Sequence, residues 1–414
     1  MNRLRNFWRK IGPGLVTGVS DDDPSGIVIY SQTGAQAGFG MLWSALFTFP
    51  LMAVMQEMCA RIGLVTGHGL AGNLRRYYPR WVLVILVGLA VVGITLNIGA
   101  DLAAMADVTH LFIPIPEPIL AILYSILIVL LLIFTSYQTL AGFLKWTALT
   151  VLAYMFVPYF TQTDWREAIF HTVVPAMKIN RETALLFVAI LGTTISPYLF
   201  FWQTSMEVED KQTKLKRFMA RWIVTKHELR DMKEDVTVGM FVSNAVMWFI
   251  IVATAVTLNA HGITQINTAK DAAEALKPFV GPYAYIVFTL GIVSMGLLAI
   301  PVLAGSSSYA LAEVMGWNEG LNKTFHQAKQ FYGVIIVSTL VGLMIPILGI
   351  DPIKALFYTG VFYGITAPVL IFAILHIVNN KQLMGRHINS PISNFLGIAV
   401  MILMTVAVIG AFIL

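Results

Sequence analysis

Runs of about twenty apolar residues recur from one end of this chain to the other. A helix of that length matches the hydrocarbon thickness of a bilayer. Backbone amides in hydrocarbon must be bonded within the chain, so only helices and closed barrels can cross it. The alternating ten-residue pattern of a membrane barrel is absent from the sequence. The chain therefore reads as an all-α polytopic membrane protein. Only 12% of its 414 residues are charged, against about a quarter in a soluble domain. The single cysteine, Cys59, excludes an intramolecular disulfide and reads as a buried thiol. "MNRLRNFWRKIGPG" is basic but leads into no cleavage site, so no removable signal peptide is expected.

Eleven spans are predicted, at about 12–38, 42–66, 81–108, 117–136, 143–162, 183–206, 237–258, 282–312, 330–348, 353–378 and 393–413. Lys and Arg cluster before span 1, after spans 2 and 6, and before span 11. By the positive-inside rule the N-terminus is cytoplasmic and the C-terminus external. This explains a pI near 9.1 without a nucleic-acid partner. The stretch "EVEDKQTKLKRFMARWIVTKHELRDMKED" after span 6 reads as an amphipathic surface helix with Leu215, Phe218 and Trp222 on one face, or equally as a solvated charged loop.

Two spans are interrupted. Span 1 contains "DDDPSG", with Asp21, Asp22, Asp23, Pro24 and Gly26 where hydrocarbon should be. Span 6 contains "GTTISPYLFFWQ", with Pro197 near its middle. A mid-helix proline removes a donor and clashes with the preceding turn. Broken helices five spans apart point to an inverted repeat with its site between the halves. The expected organisation is one transporter domain over 1–414. Residues 12–162 form the first repeat, 183–378 the second, and 393–413 an additional span. Each half-helix entering the break ends in carbonyls, which carry partial negative charge. Carbonyl ends beside carboxylates make a cation site. Asp23 is the strongest candidate; Asp21 and Asp22 either help attract the ion or line a wet vestibule.

"DPSGIVIYSQTGAQAGFGMLW" and "ARIGLVTGHGLAGNLRRYYPR" resemble the first two spans of the Nramp divalent-metal transporters, and the order of spans is similar along nearly the whole chain. The resemblance implies a LeuT-like fold. It also implies a metal held by an aspartate, an asparagine, a methionine sulfur and a backbone carbonyl. These positions fall on Asp23, Gly26, Ser196 and Thr193, so the amide and the sulfur are missing. Asp22 joins this expected metal set. Thioethers favour softer metals, whereas carboxylate, carbonyl and hydroxyl suit magnesium or manganese. Magnesium keeps several waters and needs few carboxylates. The pattern thus resembles the Nramp-related magnesium transporters.

The family's span-6 histidine is replaced by Tyr198, and its span-3 acid pair is reduced to Asp101, with Ala104 at the second position. Span 9 lacks an arginine. A proton relay needs chained titratable groups. The expectation is uptake of Mg2+, and also Mn2+, without proton coupling. An inside-negative potential supplies about 4.6 kcal/mol per 100 mV to a dication. Beyond this cargo no cofactor is expected; the bilayer is the environment and no obligate protein partner is evident. A prokaryotic inner membrane is inferred from the short loops. Asp21, Tyr198, Asp101, Glu57 and Gln36 are the candidate pathway residues, with Tyr358, Thr359 and Tyr363 added from their position. Glu57 and Arg61 also fit a simple i,i+4 pair. The rival readings are a proton-coupled Mn2+ or Fe2+ carrier, an amino-acid transporter, and a prenyl transferase. Three acids would repel an amino-acid carboxylate, and no second acid cluster exists for a diphosphate enzyme.

Overall fold

The computed structural model describes residues 13–135, 151–177, 180–218 and 222–414. Every regular element among them is helical. Nine helical stretches among the described residues are long and apolar enough to cross a membrane, with the two helices of span 6 counted as one. Span 1 is two short helices, α1 (Pro13–Asp21) and α2 (Pro24–Ala37). Spans 2 to 4 are α3 (Trp43–Thr66), α5 (Arg80–His110) and α6 (Glu117–Phe134), with the short α4 (Leu70–Tyr77) after α3. Much of predicted span 5 and the basic N-terminal residues before Pro13 lie outside the described residues. A short α7 (Trp165–Val173) follows. Span 6 is again two helices, α8 (Arg181–Thr194) and α9 (Pro197–Phe218). Spans 7 to 11 are α10 (Lys226–Thr257), α11 (Ala284–Met315), α12 (Lys329–Gly342), α13 (Pro352–Asn379) and α14 (Pro391–Ile413).

Local chemistry explains the helix starts. Pro24 does not kink a continuous helix. It is the first residue of α2, and Asp23 caps that helix by accepting the Gly26 amide. Asp351 before Pro352 and Ser390 before Pro391 repeat the device. Asn180 with Thr183, and Thr225 with Glu228, form capping boxes at α8 and α10.

The packing surrounds the two breaks. α1 and α2 lie along α10, α8 lies along α13, and α5 lies along α11 and α13. α8 and α13 approach closely: a Cβ at Gly192 would sit 1.9 Å from the Gly360 carbonyl oxygen. α6 and α14 are peripheral, with most of their apolar surface facing outward. On the face that carries Pro13, the Gly14 amide donates to Asp235 at 2.7 Å. Thr17 donates to Gln203 of α9 at 2.5 Å.

Of the two readings of the stretch after span 6, helix and solvated loop, the structure excludes the loop. α9 continues to Phe218 and α10 begins at Lys226, so most of that stretch is helix. Three of its charged residues, Glu207, Glu209 and Lys211, are buried. Glu209 accepts from the Tyr309 hydroxyl and from the Asn322 amide at 2.6 Å. Lys211 donates to the Ile223 carbonyl at 2.7 Å and lies over the Trp222 ring. Trp222 donates to the Leu64 carbonyl at 3.2 Å, so it packs on α3 rather than on a lipid-facing stripe.

The same region holds α4 in place. Glu313 at the end of α11 accepts the Gly72 amide at 2.9 Å, an anion set on a helix N-terminus. The carboxylate sits close over Gly69: a Cβ there would meet a Glu313 oxygen at 2.0 Å and displace it. Removing hydrogen bonds to a charged group costs about 1.5–3 kcal/mol. Glu313→Ala is therefore expected to lower the melting temperature of the detergent-solubilised protein by several degrees. An unchanged melting curve would show that this carboxylate holds nothing.

Candidate functional site

The breaks bring the two interrupted spans together, α2 against α8 and α1 against α9. α1 stops at Asp21 and α8 at Thr194, and two residues separate each from its continuation. The last carbonyls of each half-helix have no partner within it. Asp23 stands in the first break with an extended backbone and is 1% exposed. One of its oxygens, Oδ1, accepts from the Ser25 hydroxyl at 2.5 Å and the Gly26 amide at 2.8 Å. The other, Oδ2, accepts from Asn97 Nδ2 of α5 at 2.8 Å. Across the gap, Ser25 Oγ lies 3.4 Å from Thr193 Oγ1. Ser196 turns its hydroxyl back onto the Thr193 carbonyl at 2.6 Å and the Gly192 carbonyl at 3.1 Å. A carbonyl has two lone pairs, so Thr193 keeps one available.

The three acids do not act as one group. Asp21 and Asp22 face α10, where both accept from the single Ser243 hydroxyl, at 2.9 and 3.2 Å. Asp22, grouped with Asp23 in the expected ligand set, is thus turned to another helix. The backbone reverses from helix to extended between them, which sends successive side chains apart. Tyr198, at the family's histidine position, donates to the Ser20 carbonyl at 3.1 Å and satisfies one open carbonyl of α1. Its ring lies 5.9 Å from that of Tyr363. Asp101 is fully buried on α5, and neither of its oxygens has a hydrogen-bond partner among the described residues.

Other candidates are placed elsewhere. Glu57 and Arg61 pair at 2.9 Å on α3, and Arg61 reaches on to Ile388 and Asn389. They tie α3 to the segment before α14 and take no part in the break. Gln36 lies at the far end of α2. It lines a cavity of about 380 Å3 with Asn180, Glu182, Asn259 and Gln265. Tyr358 is 62% exposed, which removes it from the route, whereas Tyr363 and Thr359 are buried.

Two site residues escaped the sequence reading, Asn97 and Ser243. The available signal for Asn97 was its spacing: a lone amide four residues before Asp101 in an otherwise apolar helix. Ser243 carried no such cue.

The arrangement suits a mobile cation. Asp21, Asp22, Asp23 and Asp101 are all buried, and none is ion-paired among the described residues. Buried carboxylates without a counter-charge are costly, and a dication relieves that cost. Among the described residues no three His, Cys, Asp or Glu side chains form a ready-made cage. One carboxylate with hydroxyl, amide and carbonyl oxygens is a hard, weakly caging donor set. Such a set can bind an ion and release it.

Comparison with known proteins adds to this geometry. The family described as natural resistance-associated macrophage protein-like, or Nramp, matches residues 14–414. A divalent metal cation transporter MntH of Caldanaerobacter subterraneus is 24% identical, covering 96% of this chain and 91% of the relative. One from Mesorhizobium japonicum is 25% identical, over 92% and 84%. The Eremococcus coleocola manganese transporter, solved with an aromatic bis-isothiourea compound, superposes with a TM-score of 0.80. It shares 15% identity and covers 97% of this chain and 86% of its own. Mhp1, a nucleobase-cation-symport-1 family transporter, superposes with a TM-score of 0.63 at 12% identity, covering 97% and 92%. The fold is thus the LeuT-like one, with broken helices 1 and 6.

Proposed function

Because this chain belongs to the Nramp family, we propose that it is a secondary transporter carrying a divalent cation across the bilayer by alternating access, with Mg2+ as the ion its site best suits. It is a transporter, not an enzyme. The observation that carries this reading is Asp23, a buried carboxylate in the break of span 1 whose partner Ser25 faces Thr193 of the span 6 break. The oxygens of Thr193 and Ser196 lie across the break, and the only sulfur ligand expected from the family is replaced by Ser196. Hard oxygens with one carboxylate suit an ion that keeps part of its water. Asp22 and Asp21 then draw the dication toward the break without ligating it. The short unwound segments at Asp22–Asp23 and Ile195–Ser196 are the hinges about which α1 and α8 would move. We further propose that transport is uncoupled from protons. Tyr198 spends its hydroxyl on Ser20, and Asp101 has no basic partner among the described residues.

A second reading is a proton-coupled Mn2+ carrier. It is favoured by the names of the relatives and by the retained, unpartnered Asp101. Proteoliposomes with an internal pH dye separate the two. The expected result is saturable Mg2+ uptake that rises with inside-negative potential and leaves internal pH unchanged. Mn2+ should enter as well. Acidification in step with metal entry would sink the uncoupled reading, and failure to carry Mg2+ at millimolar concentration would sink the substrate assignment.

A further inference from the structure

Asn97 lies outside the ligand set that the family resemblance implies, yet it is bonded to the central carboxylate. It is 0% exposed, and its Nδ2 donates to Asp23 Oδ2 at 2.8 Å. A carboxylate accepts and does not donate, so the amide must offer its NH2 group to Asp23. The carbonyl branch of the same amide, Oδ1, then projects from the same carbon away from that bond. It is buried and has no hydrogen-bond partner among the described residues.

This oxygen is not isolated. Asp101 follows one turn later on α5, with both oxygens unpartnered. Gly93 precedes Asn97 by one turn, and the Tyr363 ring packs there, 2.8 Å from where a Cβ would stand. The Tyr363 hydroxyl is also buried without a partner among the described residues. Open oxygens of an amide, a carboxylate and a phenol therefore collect along one face of α5, beside Asp23. Most buried polar groups in native proteins are satisfied, by protein, water or ion. Interhelical packing explains the Nδ2 bond. It does not explain why a lone-pair-bearing oxygen is kept beside it.

We propose that Asn97 is a specificity-determining ligand: its Oδ1 binds the divalent cation held at Asp23, so that the amide absent at position 26 is supplied from span 3. The proposal rests on Asp23 being the ion's carboxylate. The donor set is then a carboxylate, an amide oxygen, the Thr193 carbonyl and hydroxyls. Moving the amide from α2 to α5 couples ion binding to α5, and through it to α11 and α13, against which α5 packs. A neutral oxygen adds a ligand without adding a charge that would hold the ion back.

The test uses the full-length chain in proteoliposomes, with Mg2+ and Mn2+ as separate probes. Three variants are compared: Asn97→Ala, Asn97→Asp and Asp23→Ala. Each is first checked for a monodisperse folded species. Asn97→Ala is expected to raise the half-saturating concentration of both ions by at least about 10-fold and to change the Mn2+ to Mg2+ ratio. Asn97→Asp keeps an oxygen but loses the donor, so it should retain the affinity that Asn97→Ala loses. The opposite pattern, with both Asn97 variants equally weak, would assign Asn97 to positioning Asp23 and overturn the ligand role. Wild-type affinity and ion ratio in folded Asn97→Ala would also overturn it. If Asp23→Ala still gives saturable flux, the underlying site reading fails. If Asp23→Ala abolishes flux while the Asn97 variants match wild type, only this inference fails.

Discussion

Replacing Asp23 by alanine or by asparagine abolishes saturable Mg2+ and Mn2+ flux, with a loss expected at about 100-fold or more. The two variants separate the two tasks of this side chain. As a helix cap it accepts the Gly26 amide and the Ser25 hydroxyl, and losing a cap costs about 1 kcal/mol. Asparagine still caps, so Asp23→Asn should fold and melt close to wild type. What it loses is the formal charge at the break. Neutral oxygens alone must then strip water from a dication that dehydrates reluctantly. Each tenfold in affinity corresponds to about 1.4 kcal/mol, and a lost ion–carboxylate contact in a buried site exceeds two such steps. Radiotracer or dye-based flux in proteoliposomes, with a melting curve for each variant, makes the measurement. Normal flux in a folded Asp23→Asn protein would remove the cation from this break.

The second large effect concerns stability. Gly192→Ala is expected to prevent recovery of a monodisperse protein, or to lower its melting temperature drastically. An added Cβ would stand 1.9 Å from the Gly360 carbonyl oxygen and 2.4 Å from the Gly364 amide nitrogen. These are backbone atoms of α13, so no rotamer change relieves the clash. The two helices must separate, and every contact along α8 and α13 weakens with them. Destabilisation above about 4 kcal/mol is reserved for such events. Gly88→Ala is the control, since nothing lies within 4 Å of its added Cβ. Size-exclusion profiles of the two variants should differ sharply. Equal profiles would mean that α8 and α13 do not approach as closely as described.

Much of this was legible from residues alone, for local reasons. "DDDPSG" shows that helix 1 breaks, because Pro24 lacks an amide and Asp23 can cap the restart. The same stretch does not show where the acids point. They split between α5 and α10, and neither Asn97 nor Ser243 is near them in sequence. Asn97 is 74 residues from Asp23, and Ser243 is 222 from Asp21. The charged stretch after span 6 is ambiguous by itself for a related reason. Its charges signal solvent when read alone, yet Glu209 and Lys211 are buried because distant amides and carbonyls meet them.

The sequence by itself determined that this is a helical membrane protein and where two of its crossings are interrupted. Hydrocarbon offers no hydrogen bonds, so span length and helix punctuation follow from local composition. Only the tertiary structure decided which groups face Asp23. The side-chain amide of Asn97 in span 3 donates to it, and the hydroxyl of Ser196 is turned onto Thr193. Those pairings depend on which helix faces lie together in the packed bundle, and a single apolar span carries no mark of the neighbour it will meet.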